Sequence, residues 1–190
     1  MALSKIGNGD FADVFDMGDG TVVKAFRRLQ HTGGDVGDWI DEDALTTELY
    51  AAEARAYERL QQICDLALFT PVYYGRIDPC NLPDLTAHEQ CKYVSGCGIR
   101  LERISGTAVK FGLQDRERKE EMRGVLERIE TELAPGNVWD SSCFVPGSRQ
   151  WFTLIDFAVW DNFDDCVEVL YEQGTFTRQQ REQLRLKHGL

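Results

Sequence analysis

No run of about 18 apolar residues occurs anywhere in the chain, so nothing in it reads as a membrane-spanning helix. Basic residues are also scarce: 21 Lys and Arg face 32 Asp and Glu, and the formal net charge is −11. That balance argues against nonspecific DNA or RNA binding, which needs a cationic face. It leaves room for a nucleotide, because one local lysine can hold phosphates inside an acidic protein. Metal-binding spacings are missing too. None of the six cysteines (Cys64, Cys80, Cys91, Cys97, Cys143, Cys166) falls in a Cys-x-x-Cys pair. Free, mostly buried thiols in a reducing compartment are the plainer reading. The start, "MALSKIGNGD", lacks a hydrophobic signal core. This predicts cytoplasmic residence; delivery into a host cytosol by another route stays open.

What is present suffices for a core. With 43% hydrophobic residues in 190, the chain can form one domain or two small lobes packed together. Residues 3–28 read as strands: "ADVFDM" alternates, "GDG" turns, and "TVVKAF" is β-branched and apolar. Residues 30–41 are Gly- and Asp-rich and read as a loop. Over 43–63 the pattern is helical, with Leu45, Leu49, Ala52, Ala56, Leu60 and Ile63 on one face. "TPVYYGRI" and "GIRLERISG" are strand candidates on either side of a polar loop at 78–90. A long charged helix is predicted over 112–133 and is broken by "APGN". Residues 138–160 read as a hairpin with a Pro-Gly turn. Two short helical stretches follow, with Thr177 as N-cap of the last. No repeat or low-complexity segment occurs. The order is strands, helix, strands, helix, hairpin, helices, which predicts an α+β fold.

Several residues carry possible chemistry. Gly7-Asn8-Gly9-Asp10-Phe11-Ala12-Asp13-Val14 fits G-x-G-x-x-A-x-V. Between strands, such a loop can bring backbone N–H groups close to phosphate oxygens, because glycine has no side chain to block the approach. A plain hairpin turn fits the same residues. Lys24, in "TVVKAF", is a lone lysine among apolar strand residues. It is either an edge lysine reaching solvent or a phosphate ligand one hairpin after the glycines. A phosphate-binding lysine needs a carboxylate to orient it, and the helix at 43–63 offers Glu48, Glu53 and Glu58. Helical geometry sets Glu58 opposite the apolar face and Glu48 and Glu53 at its edges. Periodicity alone does not choose among them.

Glu132-Leu133-Ala134-Pro135-Gly136-Asn137 resembles the D-L-x-P-x-N catalytic loop of protein kinases and of kinase-like small-molecule phosphotransferases. Nineteen residues after Asn137, "LIDFAVW" looks like the metal-binding D-F-G segment, with Asp156 at the aspartate and Ala158 at the glycine. The loop at 7–14 resembles the kinase glycine loop, Lys24 the V-A-x-K lysine, and Glu53 its helix partner. "RLERISG" resembles the strand leading into the hinge. These six stretches in order, across residues 4 to 160, are similar to the protein-kinase-like superfamily.

The resemblance implies a two-lobed kinase-like fold: a sheet-rich N-lobe over 1–104 and a reduced helical C-lobe over 105–190. It implies ATP as cofactor with Mg²⁺ or Mn²⁺. Gly7, Asn8, Gly9 and Val14 would cover the nucleotide, Glu102, Arg103 and Ile104 would meet the base, and Lys24, held by Glu53, would contact the α- and β-phosphates. Asn137 and Asp156 would hold the metal, and Glu132 would orient the acceptor hydroxyl or take its proton. The expected activity is transfer of the γ-phosphoryl group to a hydroxyl, with Ser/Thr of a protein ahead of a small molecule. No membrane or nucleic-acid partner is expected.

Departures from the family pattern keep alternatives open. Glutamate stands where the family has aspartate, and the extra methylene moves the carboxylate by more than about an ångström, a displacement that can cost ~100-fold. Glu130 could compete for the role. A nucleotide-binding pseudokinase acting as an interaction module is therefore one alternative. A small-molecule phosphotransferase, suggested by "PGN", is another. Only 34 residues follow Asp156 and none spells A-P-E, so a minimal kinase of compact bacterial-effector type is expected, or a chain cut short. Trp139, Trp151, Phe152, Phe157 and Trp160 read as core of this end. Residues 115–121 read as a solvated helix face, and Asp161, Asp164, Asp165 and Glu168 as a solvated helix start. Trp39 is the candidate exposed aromatic.

Overall fold

The computed structural model describes residues 3–9, 11–28, 42–110, 116–133, 143–149, 151–156 and 177–188, with 168, 171, 172 and 174. Its strands are β1 (Ser4–Asn8), β2 (Ala12–Asp16), β3 (Thr21–Arg27), β4 (Tyr73–Ile77), β5 (Tyr93–Glu102), β6 (Val109–Lys110), β7 (Cys143–Pro146) and β8 (Phe152–Asp156). Its helices are α1 (Glu42–Leu60), α2 (Ala87–Gln90), α3 (Arg116–Leu133) and α4 (Arg178–His188). The class is α+β. An antiparallel five-stranded sheet runs in the order β1-β2-β3-β5-β4, and a three-stranded sheet runs β6-β7-β8.

The centre of the large sheet is β3, and its composition explains why. On a strand, alternate side chains face opposite sides. Val22 and Phe26 enter the main core with α1, whereas Val23 and Ala25 pack behind the sheet with Phe15, Leu82 and Tyr93. A strand covered on both faces reads as an unbroken apolar run, as "TVVKAF" does. Lys24 is the exception on the α1 side. The turn into β3 is closed by Met17 N–H donating to the Thr21 carbonyl at 3.0 Å. Gly18 and Gly20 there adopt φ of 73° and 84°, values that favour glycine.

Helix α1 buries Leu49, Tyr50, Ala54, Ala56, Tyr57 and Leu60. Of the expected stripe Leu49, Ala56 and Leu60 are buried, Ala52 and Ile63 are half-buried with Ile63 beyond the helix end, and Tyr50, Ala54 and Tyr57 join the buried face. Helix α3 adds Met122, Leu126 and Ile129 to the same core, at the i, i+4, i+7 spacing of one helical face. Phe144, Phe152 and Leu154 close the core from the second sheet. Phe152 meets Phe144 and Trp151 edge-on and lies tilted against Phe69, so this part of the aromatic group is packing. Trp39, Trp139, Phe157 and Trp160 lie outside the described residues, as do the 30–41 loop and most of the 161–170 stretch.

Three local features differ from the sequence reading. Strand β5 starts at Tyr93, ahead of the "GIRLERISG" segment; Gly96 within it takes a positive φ of 76°, which interrupts the alternation. The polar loop at 78–90 is partly helical. Thr86 and Glu89 form a capping box that starts α2, and the T-x-x-E spacing carries that signal. Strand β6 was not read from the sequence. Thr177 does cap the last helix: Gln180 N–H donates to its Oγ1 at 3.3 Å.

Two glycines give opposite predictions. A Cβ on Gly98 would stand 2.8 Å from the Ile77 carbonyl oxygen, inside the β4–β5 ladder. Gly98→Ala is expected to destabilise by about 1–3 kcal/mol through overpacking. Gly124, exposed in α3, has open space around its Cβ position. Gly124→Ala should stabilise by about 0.4–1 kcal/mol by limiting the unfolded chain. Urea denaturation of the two variants checks both signs.

Candidate functional site

One row of side chains crosses the large sheet. Gly7 pairs with Val14, Val14 with Lys24, and Lys24 with Ile99. Residues paired directly opposite share a face, so the glycine hairpin and the lysine stand on the α1 side together. The Lys24 ammonium is nearly enclosed, with its side chain 12% exposed. It donates to both oxygens of Glu53, at 2.7 and 2.8 Å, and to Asp156 Oδ1 at 2.5 Å. Strand β3, helix α1 and strand β8 thus each send one charge to a single point.

The partner of Lys24 is Glu53, 95% buried. The other two helical glutamates are placed differently. Glu58 accepts from Tyr73 and Arg76, and Glu48 is half-buried with no ion pair recorded among the described residues. Tyr57, one turn after Glu53 and fully buried, donates to the Ile155 carbonyl at 2.9 Å. Burial, with the Glu53 and Asp156 charges nearby, raises its pKa well above the ordinary value, so the hydroxyl stays a donor. Tyr57 therefore ties α1 to the strand that carries Asp156. Sequence reading missed it; a tyrosine within an apolar helical stripe was the available signal.

A cavity of about 110 Å³ opens beside this cluster. Ile6, Val14, Val22, Leu101 and Ile155 form apolar walls, Lys24 stands in its lining, and Glu102, Arg103 and Ile104 border it. The border segment is held from two sides. Arg103 N–H donates to the Gly20 carbonyl at 2.9 Å and its guanidinium pairs with Asp16 at 2.6 Å. Glu102 N–H donates to the Val72 carbonyl at 2.9 Å, and its carboxylate accepts from Val72 N–H at 3.1 Å.

The glycine hairpin contributes Ile6 to the cavity wall. The Gly9 N–H closes the turn onto the Ala12 carbonyl at 2.8 Å, so that donor is already taken. Arg27 donates to the Gly9 carbonyl and pins the hairpin tip. Asp13, in the same hairpin, accepts from the buried Tyr93 hydroxyl at 2.9 Å and pairs with Lys5 at 2.9 Å.

Glu132 is not part of the Lys24 cluster. It lies in the last turn of α3 and pairs with Arg59 at 2.7 Å on the exposed surface. Arg59 is six residues beyond Glu53, about 9 Å along α1 and about 120° around it. Asn137 and Ala158 lie outside the described residues. Among the described residues, no cluster of three or more His, Cys, Asp or Glu could hold a metal on its own, and no helix is long and apolar enough to cross a membrane. Comparisons with protein-family models and with curated proteins give no match.

The charges in the cluster shift one another. Burial presses the Lys24 ammonium towards neutrality, but Asp156 and Glu53 together outweigh it and raise its pKa. For Glu53, burial is the largest influence and Asp156 adds to it; Lys24 opposes both, and the carboxyl rises from 4.5 to about 7. A carboxyl raised in the folded state gives stability that is full below about pH 4.5 and is lost as pH rises through about 7. Wild type should therefore lose stability between those values, with a slope of up to about 1.4 kcal/mol per pH unit from this group. Glu53→Gln should remove that slope, read as the urea midpoint against pH. Tyr57→Phe deletes the bond to the Ile155 carbonyl and is expected to cost about 1 kcal/mol in the same assay.

Proposed function

We propose that the chain is an ATP- and Mg²⁺- or Mn²⁺-dependent phosphotransferase of kinase-like, two-lobed architecture, with a hydroxyl of a protein Ser or Thr as the favoured acceptor. The observation that supports this most is the buried Lys24–Glu53–Asp156 cluster beside an apolar cavity bordered by Glu102–Ile104. An enclosed apolar slot suits a flat base, and a fixed ammonium beside it suits phosphate oxygens.

Phosphoryl transfer asks a protein mainly for positioning and charge neutralisation. On this reading Val14, Val22, Leu101 and Ile155 exclude water from the base, and the Glu102–Ile104 backbone orients it. Lys24, oriented by both oxygens of Glu53, donates to the α- and β-phosphates. Asp156, together with Asn137, holds the divalent cation; carboxylate and amide oxygens suit that hard ion. The cation supplies neutralisation of charge on the transferring group. The Gly7–Gly9 hairpin covers the phosphates through those N–H groups that the turn does not use. Glu132 receives the acceptor hydroxyl once it leaves Arg59.

That last condition favours a second reading. A carboxylate paired with Arg59 on the surface is not where a reacting hydroxyl would meet Lys24-bound phosphate. A nucleotide-binding module without turnover fits this placement.

The deciding experiment incubates the protein with γ-labelled ATP, Mg²⁺ or Mn²⁺, and a whole-cell lysate. Transfer to a protein, reduced by about 100-fold or more in Asp156→Ala, is the expected result. A rise in melting temperature with MgATP but no transfer to protein or metabolite selects the second reading. Neither transfer nor a shift would defeat both.

A further inference from the structure

Strand β8 carries two groups of the candidate site at one end, Ile155 in the cavity wall and Asp156 on Lys24. That end is fixed by Tyr57 and Lys24. The opposite end of the β7–β8 hairpin is fixed by a residue outside every motif discussed so far. Arg149 sits in the hairpin turn with φ of 45°, the left-handed region that non-glycine residues rarely adopt. From there its Nη1 donates to the Thr70 carbonyl at 3.0 Å, and its Nη2 donates to Glu102 Oε2. Glu102 Oε2 also accepts from Val72 N–H at 3.1 Å. One guanidinium therefore joins the hairpin turn to the segment that borders the cavity and to the chain entering β4.

We propose that Arg149 is a positioning residue for the base end of the cavity: by clamping Glu102 and the Thr70 carbonyl, it fixes the Glu102–Ile104 border against the hairpin turn. This rests on the nucleotide reading above. Three features support it. The pair spans 47 residues of sequence and bridges the two sheets. Both side chains are largely shielded, 27% and 29% exposed, so solvent screens them less than a surface pair. The planar fork of arginine satisfies two acceptors in a fixed relation, which a lysine cannot reproduce. Lys24 and Asp156 lie at the other end of β8, some four residues or roughly 13 Å along the strand from Phe152. Loss of the clamp should therefore loosen the base end and spare the phosphate end.

The test compares wild type, Arg149→Ala and Arg149→Lys by calorimetry with three probes: MgATP, adenosine, and Mg²⁺ with inorganic tripolyphosphate. Arg149→Ala is expected to weaken MgATP and adenosine by about tenfold and to leave tripolyphosphate unchanged. Arg149→Lys should fall between. If turnover is measurable, KM for ATP should rise with kcat unchanged. Equal binding of MgATP and adenosine by wild type and both variants would overturn the clamp while the nucleotide reading stands. An equal loss for all three probes would also overturn it, since that marks general destabilisation; where Arg149→Ala does not fold, Arg149→Lys carries the same comparison. Wild type binding neither MgATP nor adenosine would instead defeat the nucleotide reading, and this inference with it.

Discussion

An ammonium group cannot be left inside a protein without opposite charge around it, because desolvation of the bare ion costs several kcal/mol. Lys24 lies on the covered face of the central strand, so the rest of the fold has to bring counter-charge to it. Two carboxylates do so from different directions, Glu53 from α1 and Asp156 from β8. Each can reach only if its element packs in one register. Tyr57 fixes that register by joining α1 to the Ile155 carbonyl, one residue before Asp156. The apolar core supplies most of the driving force for packing. The ion cluster selects the packing that brings both carboxylates within hydrogen-bond distance of the one ammonium, at 2.7 and 2.5 Å.

The second sheet is held to the first by more than this cluster. Phe144 and Phe152 enter the common core, and Arg149 reaches from the β7–β8 turn to Glu102 and Thr70. The hairpin is thus tied at both ends, once through an ion pair at the Lys24 end and once through a forked arginine at the Glu102 end. The cavity lies between those ties. Its walls come from strands that the sequence separates by more than a hundred residues, Ile6 to Ile155. The second sheet contributes Ile155 to that wall, so the braces between the two sheets bear on the cavity's width.

Much of the fold was legible in the sequence because its elements follow simple periods. The β1–β3 strands, α1, α3 and the Thr177 cap all carry local signals that local physics obeys. The pairing of Lys24 with Glu53 was not legible from periodicity, which left Glu48, Glu53 and Glu58 open; ordered motifs separated them. The early start of β5 was hidden by Gly96, whose positive φ breaks the alternation that identifies a strand. Arg149 and Tyr57 were invisible for another reason. Their roles depend on partners 47 and 98 residues away, and nothing local distinguishes them from a turn residue and a core aromatic. Glu132 shows the same limit in reverse: the motif around it is local, but its partner Arg59 belongs to another helix.

The charge at the cluster constrains how a ligand could enter. With both carboxyls ionised, above about pH 7, one ammonium and two carboxylates sum to −1 at the cavity. A bare triphosphate would meet that excess negative charge in a partly desolvated place, where like charges repel strongly. A divalent cation changes the balance, because a hard ion at Asp156 offsets that carboxylate and leaves Lys24 facing only Glu53. On the proposed reading Asp156 would hold the cation, and the cation would supply the positive charge that offsets this carboxylate and the phosphates. Glu53, which holds Lys24 through both oxygens, would keep the ammonium in place with the cation bound. The same arithmetic separates the two carboxylates by role: the 95% buried one orients the lysine, and the 31% exposed one is the one an incoming ion can reach.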